Sequence, residues 1–406
     1  MLSKESLPLI QASVPLLREN GVAITNVFYQ SMFAAHPELA NIFNAGNQAT
    51  GQQQQSLASA VYAYAANIEN PDALAPVLAR IAHKHAAIGI KPAQYTIVGK
   101  HLLAAIKEVL GDIATPDIMA AWDEAYWLLA GELIAIEAKL YFDANIKGGE
   151  HWKELIISRI EDENEITRSL YLTPPSGETL NSFAPGQYVS VEMDVPALGV
   201  KQQRQYSLSD APYEDHWRIT VKKEVANEST NTPAGNVSNL IHALKVGDTL
   251  KTSPAYGEFC LSDGPSNHPT NPVVLISAGV GITPMVSILK TLQKKSPNIA
   301  VRFLHAARDE NNLALLADVN AAKNELTDFR ALYFLDSASN TDDTKIKGRM
   351  NIADYSGTVI LPNADYYLCG SLPFMREQRK SLLSLGVDAN NIQYEVFGPD
   401  LLMGLD

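Results

Sequence analysis

Cysteine is nearly missing from this sequence: two residues in 406, Cys260 and Cys369. That is too few for a disulfide framework or a cysteine-built metal cage. Long apolar runs are missing as well, and no stretch approaches the roughly 18 residues of a membrane helix. The opening MLSKESLPLIQASVPLL lacks a continuous apolar core and is interrupted by Pro8 and Pro15, so it does not read as a secretory leader. A soluble protein of the reducing cytoplasm is expected. Basic residues are outnumbered, 32 against 45, for a formal net charge of −13. This argues against nucleic acid or an anionic membrane as the main partner, while leaving room for a local basic site for phosphates. Internal repeats, low-complexity tracts, zinc-type spacings and a Gly-x-Ser-x-Gly elbow are also absent. What is present is an ordinary globular mixture, 46% hydrophobic and 19% charged, with length for two or three domains at roughly 150 residues each.

Residues 1–146 read as helix throughout. Alanine and leucine are frequent, and His36-Pro37, Asn70-Pro71, Lys91-Pro92 and Thr115-Pro116 mark turns or helix starts. The stretch IAHKHAAIGI at 81–90 carries two histidines two residues apart, which on a helix point to nearly opposite sides. Val77, Ile81, His85 and Ile88 share one stripe, so His85 looks inward and His83 outward, to solvent. Taken alone, His85 is a core histidine with a satisfied hydrogen bond. Three other helices put a polar group on an apolar face: Tyr29 in line with Val22 and Phe33, Gln53 behind Leu57 and Val61, and Glu137 near Tyr126 and Leu133. Each has a plain alternative, since a tyrosine points its hydroxyl at a carbonyl, a glutamine ends a helix, and a glutamate borders the solvated face. Buried polar groups need partners, and several on different helices could share one polar pocket.

After the short polar link Lys147-Gly148-Gly149-Glu150 the pattern alternates. Glu154–Glu161, Glu165–Thr173, Gln187–Asp194, Arg204–Ser209 and Trp217–Val225 read as strands, so residues 150–265 are expected to form a small antiparallel barrel with a short helix at Ser238–Leu244. Two motifs stand out in it: Arg204-Gln205-Tyr206-Ser207, preceded by Pro185-Gly186-Gln187-Tyr188, and Gly235-Asn236-Val237-Ser238. An arginine, a hydroxyl and helix-start amides can neutralise a diphosphate, and a tyrosine offers a flat apolar face to a flavin ring. Gly235 gives the backbone room and Ser238 is expected to cap the helix. The bland reading of the first motif is a strand with a surface arginine.

Residues 266–406 alternate strand and helix, the pattern of a parallel doubly wound sheet. The run Pro272–Ser277 ends in Ala278-Gly279-Val280-Gly281-Ile282-Thr283-Pro284-Met285. Its glycines let the backbone approach a pyrophosphate. Thr283-Pro284 is expected to be an N-cap followed by proline at the first helical position.

The order Phe28-Tyr29, Asn-Ile-Phe-Asn with Phe43, Gln53, Leu57, Lys84-His85 and Lys-Pro-Ala-Gln-Tyr ending at Tyr95 resembles the globin domain of flavohaemoglobins. The pair of barrel motifs resembles the FAD domain of the ferredoxin-NADP reductase superfamily, and the Gly279–Pro284 loop is similar to the one that superfamily uses for NAD(P)H. Leu368-Cys369-Gly370, with Phe374-Met375, resembles its nicotinamide-side motif, although Ser371 stands where the family often has proline. Tyr394-Glu395-Val396-Phe397-Gly398-Pro399 resembles the closing segment that covers the flavin.

This resemblance implies a multidomain fold: an all-α globin domain, an antiparallel β-barrel FAD domain, and an α/β parallel-sheet NAD(P)-binding domain of ferredoxin-NADP reductase type. It implies His85 as the proximal ligand of a haem b iron, with Tyr95 and Glu137 behind it and Tyr29, Gln53 and Leu57 on the distal side. Lys84 and Glu395 would lie near the haem–flavin junction as charges able to tune both potentials; from its residue type alone Lys84 is an exposed helix lysine. The implied activity is NAD(P)H-dependent nitric oxide dioxygenase, an NO-detoxifying oxidoreductase that turns NO and O2 into nitrate with electrons passed through FAD. The alternatives are a haem-dependent reductase of hydroperoxides, including lipid hydroperoxides, or of NO without oxygen, and an oxygen- or NO-binding sensor or storage globin whose reductase keeps iron ferrous. The Glu137–Tyr95 pair favours catalysis. A monomer is expected, and a lipid is a further candidate ligand for the distal pocket. NADH versus NADPH stays open.

Overall fold

The structure is a computed structural model, and it describes residues 2–146, 150–212, 215–227, 232–262, 269–338 and 342–398. Six α-helices come first: α1 (Ser6–Ala35), α2 (Ala45–Ala49), α3 (Gln52–Ala66), α4 (Pro71–Ile88), α5 (Pro92–Leu110) and α6 (Pro116–Asp143). Three of them begin on the expected prolines, where the missing N–H costs nothing. Asn70 and Thr115 cap the first turns of α4 and α6 through their side chains. Helix α1 continues through Pro15. It crosses α3 closely at Gly21, where a Cβ would sit 3.1 Å from that of Ala58. Phe28, Met32, Leu78, Ala82, Ile106 and Trp122 are among the side chains that make one apolar core. The link at Lys147-Gly148-Gly149 lies outside the described residues.

The second unit is a six-stranded antiparallel sheet, built from β1 (Lys153–Asn164), β2 (Thr167–Thr173), β3 (Tyr188–Val195), β4 (Val200–Ser207), β5 (Trp217–Lys222) and β6 (Thr249–Thr252), with helix α7 (Asn236–Ala243). The order is β4-β3-β6-β1-β2-β5. A bridge between Leu208, just past β4, and Ile219 of β5 brings the two edges together, which closes the sheet into a barrel around Leu170, Val189, Ile219 and Val237.

The third unit is a six-stranded parallel sheet: β7 (Val273–Ala278), β8 (Ala300–Ala307), β9 (Asp328–Leu335), β10 (Lys345–Lys347), β11 (Asp365–Cys369) and β12 (Ile392–Glu395), in the order β10-β9-β8-β7-β11-β12. Helices α8 (Ile282–Lys295), α9 (Leu316–Glu325), α10 (Ser356–Val359) and α11 (Leu372–Ser384) complete it. The chain order reverses between β7 and β11, the place where open parallel sheets bind ligands. Among the described residues no helix is long and apolar enough to cross a membrane.

Candidate functional site

A single cavity of about 690 Å³ runs from the helical domain, past the barrel, to the first loop of the parallel sheet. At its helical end it is walled by α4. This helix has three working faces. Leu74, Leu78 and Ala82 are buried in the core. Val77, Ile81, His85 and Ile88 line the cavity. Arg80, His83, Lys84 and Ala87 face the other two domains. Gly89, at φ 75°, ends the helix. The Gly89 and Ile90 amides then donate to the carbonyls of Ala86 and His85, a Schellman arrangement that locks the backbone at His85.

His85 Nδ1 lies 2.8 Å from Glu137 Oε1 and 3.0 Å from the Tyr95 hydroxyl. The hydroxyl donates to the same carboxylate oxygen at 2.5 Å. Glu137 is only 2% exposed. An ionised carboxylate can only accept, so Nδ1 carries the proton and Nε2 keeps its lone pair for a ligand in the cavity. Burial, followed by the charge of Glu137, pushes the Tyr95 hydroxyl far above its ordinary range, so it stays a donor. Tyr126 supports Tyr95 from behind by donating to its carbonyl oxygen. Gly99 makes the room: a Cβ there would lie 2.3 Å from the Tyr126 ring.

Across the cavity Tyr29 is buried among Phe28, Phe33 and Phe43. Burial pushes its hydroxyl well up, against hydrogen bonds from Gln53 and Gln48. Gln53 and Leu57 line the same space. Gln48, held by Gln54 through a 3.1 Å hydrogen bond, was missed from the sequence because glutamine on a short helix gives no periodic signal.

The barrel contributes Tyr188, Arg204, Gln205, Tyr206 and Ser207 to the wall, and Gly235, Val237 and Ser238 after them. Ser207 Oγ, Tyr188 OH and Gln203 Oε1 are buried without hydrogen-bond partners. Buried polar atoms of this kind are normally satisfied, and a polar ring system with a diphosphate would satisfy them. Desolvation lowers the Arg204 pKa, and an anion beside the guanidinium would offset that cost. A Cβ at Gly235 would meet Ser238 Oγ at 2.7 Å and Glu224 Cβ at 2.8 Å, so glycine is needed there. Ser238 does not cap α7. The helix begins two residues earlier, at Asn236, and the Ser238 hydroxyl instead accepts the Glu224 amide at 3.2 Å. Thr220, Lys222 and Glu224 of the β5 region also line the wall. Sequence reading missed them because their strand looks like any other.

At the sheet end, Gly279 has φ 53°. A Cβ on Gly281 would fall 2.3 Å from the Cys369 carbonyl oxygen, so the loops after β7 and β11 touch. Val280 and Thr283 reach the cavity. The expected Thr283 N-cap is corrected: α8 starts at Ile282, Thr283 Oγ1 donates to Val280 O at 3.0 Å, and Pro284 occupies the third helical position. Proline is still tolerated there because first-turn amides have no intrahelical acceptor. Ile282 and Pro284 are buried. A Cβ on Gly370 would press on Phe374 at 2.8 Å. Ser371 has φ −65°, the value proline itself would impose, so its backbone is compatible with the family pattern.

Glu395, buried at the end of β12, pairs in register with Cys369 and reaches the cavity with Val396, Phe397 and Gly398. Pro399 lies outside the described residues. Lys84 is not a solvated lysine. Its ammonium donates to the carbonyls of Val396 and Gly398 at 3.2 and 2.9 Å, tying α4 to the terminal segment. His83 is also corrected: it accepts the Gly257 amide at Nδ1, 2.9 Å away, because the face of α4 that periodicity assigns to water is packed on the barrel. Arg80 extends this face with a 2.9 Å ion pair to Glu258.

The geometry defines a class: a globin joined to an electron-transferring reductase. Residues 26–133 match the Globin family and residues 275–380 the Oxidoreductase NAD-binding domain family. The chain is 48% identical to the flavohemoprotein of Chromobacterium violaceum over 98% of both chains, and 45% identical to that of Rhizobium meliloti over 99% of both. Its fold is similar to that of the crystal structure of flavohemoglobin from Malassezia yamatoensis with bound FAD and heme, at 31% identity and a TM-score of 0.86, covering 98% of this chain and 100% of the other. The chain belongs to the flavohaemoprotein family.

Proposed function

We propose that this protein is a nitric oxide dioxygenase that takes haem, FAD and NAD(P)H and converts NO with O2 to nitrate. When bound, these groups supply the redox chemistry: the nicotinamide gives a hydride, the flavin divides it into single electrons, and the haem iron spends them on O2 and NO.

The chain's own residues do the rest. Among the described residues His85 is the histidine that lines the cavity, and its Nε2, left free of the Glu137–Tyr95 pair, would hold the iron. Glu137 and Tyr95 fix the ring's tautomer and raise its basicity, which favours oxygen activation over storage. Tyr29 and Gln53 present donors on the opposite side, where negative charge on oxygen would be stabilised. Leu57, Val61 and Phe43 narrow the approach. Tyr188, Tyr206 and Ser207 would hold the flavin ring. Arg204 and the start of α7 would neutralise the diphosphate. The Gly279–Thr283 loop and Cys369-Gly370 would take the nicotinamide nucleotide. Lys84 and Glu395 sit where the iron and flavin sites meet, as charges bearing on both potentials.

The observation that carries this reading is the buried Glu137–Tyr95 pair bonded to His85 in a cavity continuous with the nucleotide loop. A storage globin needs no such donor enhancement. The test is an NO electrode trace on the holoprotein. NO consumption should require both NAD(P)H and O2 and should collapse in His85→Ala. NADH oxidation driven by hydroperoxide without NO would support the peroxide reductase instead, and slow NO turnover with very slow oxygen release the binding globin.

A further inference from the structure

The barrel and the nucleotide domain are joined by a buried charge network that none of the cofactor motifs contains. Its hub is Asp210, three residues beyond Ser207 and next to the Leu208–Ile219 bridge that closes the barrel. Lys290 of α8 reaches Asp210 Oδ1 at 2.6 Å and Asp318 of α9 at 3.4 Å. Arg218 of β5, 3% exposed, lies 3.7 Å from Asp210 and 2.9 Å from Asp318. Its guanidinium also donates to the backbone and side chain of Ser209. His216 lies 3.5 Å from Asp210 Oδ2. Ser287 Oγ donates to the Asp210 carbonyl at 2.8 Å. Two aspartates therefore face a lysine and an arginine across the seam.

The placement on α8 gives the network its purpose. Thr283, Ser287 and Lys290 fall at i, i+4 and i+7, one face of the helix. Thr283 is at the cavity, so the face that ends at the nucleotide loop is the face bolted to the strand end carrying Ser207. A second tie runs parallel to it: Glu163 of β1 accepts the Leu315 amide at the start of α9 at 2.9 Å. Buried ion pairs contribute little net stability but hold one geometry against others, and hydride transfer is steeply sensitive to donor–acceptor placement.

We propose that Asp210, with Lys290, is a positioning residue for hydride transfer, fixing the nucleotide loop against the flavin strand; this rests on the reductase reading above. In transfer, a hydride with both its electrons leaves the nicotinamide and bonds to the flavin, so that the nicotinamide is oxidised and the flavin reduced. Asp210 is not one of the residues lining the cavity; it acts through the loop and the strand that it joins.

The experiment uses holoprotein of wild type, Asp210→Asn, Lys290→Met and Lys290→Arg. Anaerobic stopped-flow flavin bleaching against NADH concentration separates binding from the limiting rate, and amide hydrogen exchange reports the seam. In Asp210→Asn the limiting rate should fall about tenfold or more, while the NADH dissociation constant moves less than about threefold. FAD and haem contents should stay unchanged, and exchange should quicken around residues 313–316 but not in the globin helices. Lys290→Met should behave likewise and Lys290→Arg should restore the rate. Should Asp210→Asn lose FAD, the lysine pair decides alone. A limiting rate within about twofold of wild type in Lys290→Met, or a loss confined to NADH affinity, overturns the proposal. A wild-type flavin that neither NADH nor NADPH bleaches would instead refute the reductase reading.

Discussion

One carboxylate oxygen of Glu137 meets both the Tyr95 hydroxyl and His85 Nδ1, and that pairing orients the His85 ring. With Nδ1 committed to a buried carboxylate, only Nε2 is left for the cavity. Replacing Glu137 by Gln keeps the shape but lets the ring lose its fixed tautomer. Partners behind a ligand histidine are typically worth about 10- to 100-fold in function. NO turnover in Glu137→Gln should therefore drop within that range while the helical circular dichroism stays unchanged; turnover equal to wild type would contradict the role. A fully buried histidine behaves differently. His305 on β8 bonds Ser277 through Nδ1 at 2.9 Å, and burial pushes its pKa down to about 4. Above the ordinary value of about 6.5 both folded and unfolded chains hold it neutral. As pH falls from there towards 4, the unfolded chain takes up a proton that the fold refuses, and stability declines by an amount on the order of 3 kcal/mol. His305→Asn should flatten that limb of the curve, read as urea midpoints at pH values within and above this window; an unaltered slope would rule out this origin for acid lability.

Helix α4 shows how much of an element is legible in sequence. Its phase chose His85 over His83 correctly as the cavity histidine, because Val77, Ile81 and Ile88 recur with it at helical spacing. The same pattern could not show that the opposite face was covered. Arg80, His83 and Lys84 look like solvent residues, and only the tertiary docking of the barrel and the terminal segment makes them partners of Glu258, Gly257 and Gly398. The short strands β6 and β10 escaped for another reason. Thr-Leu-Lys-Thr and Lys-Ile-Lys are too brief to display alternation, and their pairing is decided by their neighbours. The glycines were visible in the sequence, but the neighbours they make room for were not: a Cβ on Gly281 meets the Cys369 carbonyl, and one on Gly235 meets Ser238 and Glu224. Gly281→Ala would place a Cβ 2.3 Å from the Cys369 carbonyl oxygen and so push the β7 loop away, and NADH affinity should weaken by about tenfold, from an overpacking cost of about 1–3 kcal/mol. Titration of flavin reduction checks this, with the haem absorption spectrum expected to stay as in wild type.

For the whole molecule, the three domains close around one cavity rather than carrying three separate sites. The segment with Phe43 is pinned to β4, through Asn41 accepting the Lys201 amide at 2.8 Å and Gln202 donating to the carbonyls of Ala40 and Phe43. On the other side Lys84 holds the terminal segment. These bonds hold the segment with Phe43 against the strand that carries Tyr206, and under the proposed function they would set the separation of the iron and flavin sites. Electron bookkeeping then sets the decisive test. Turning NO and O2 into nitrate takes one electron, and a hydride carries two, so the holoprotein should consume NO and form nitrate at about two per NAD(P)H oxidised. Nitrate and NAD(P)+ measured together in aerobic buffer with limiting NO should give that ratio. NAD(P)H oxidation independent of NO, or nitrogen recovered mainly as nitrous oxide or nitrite, would contradict the account.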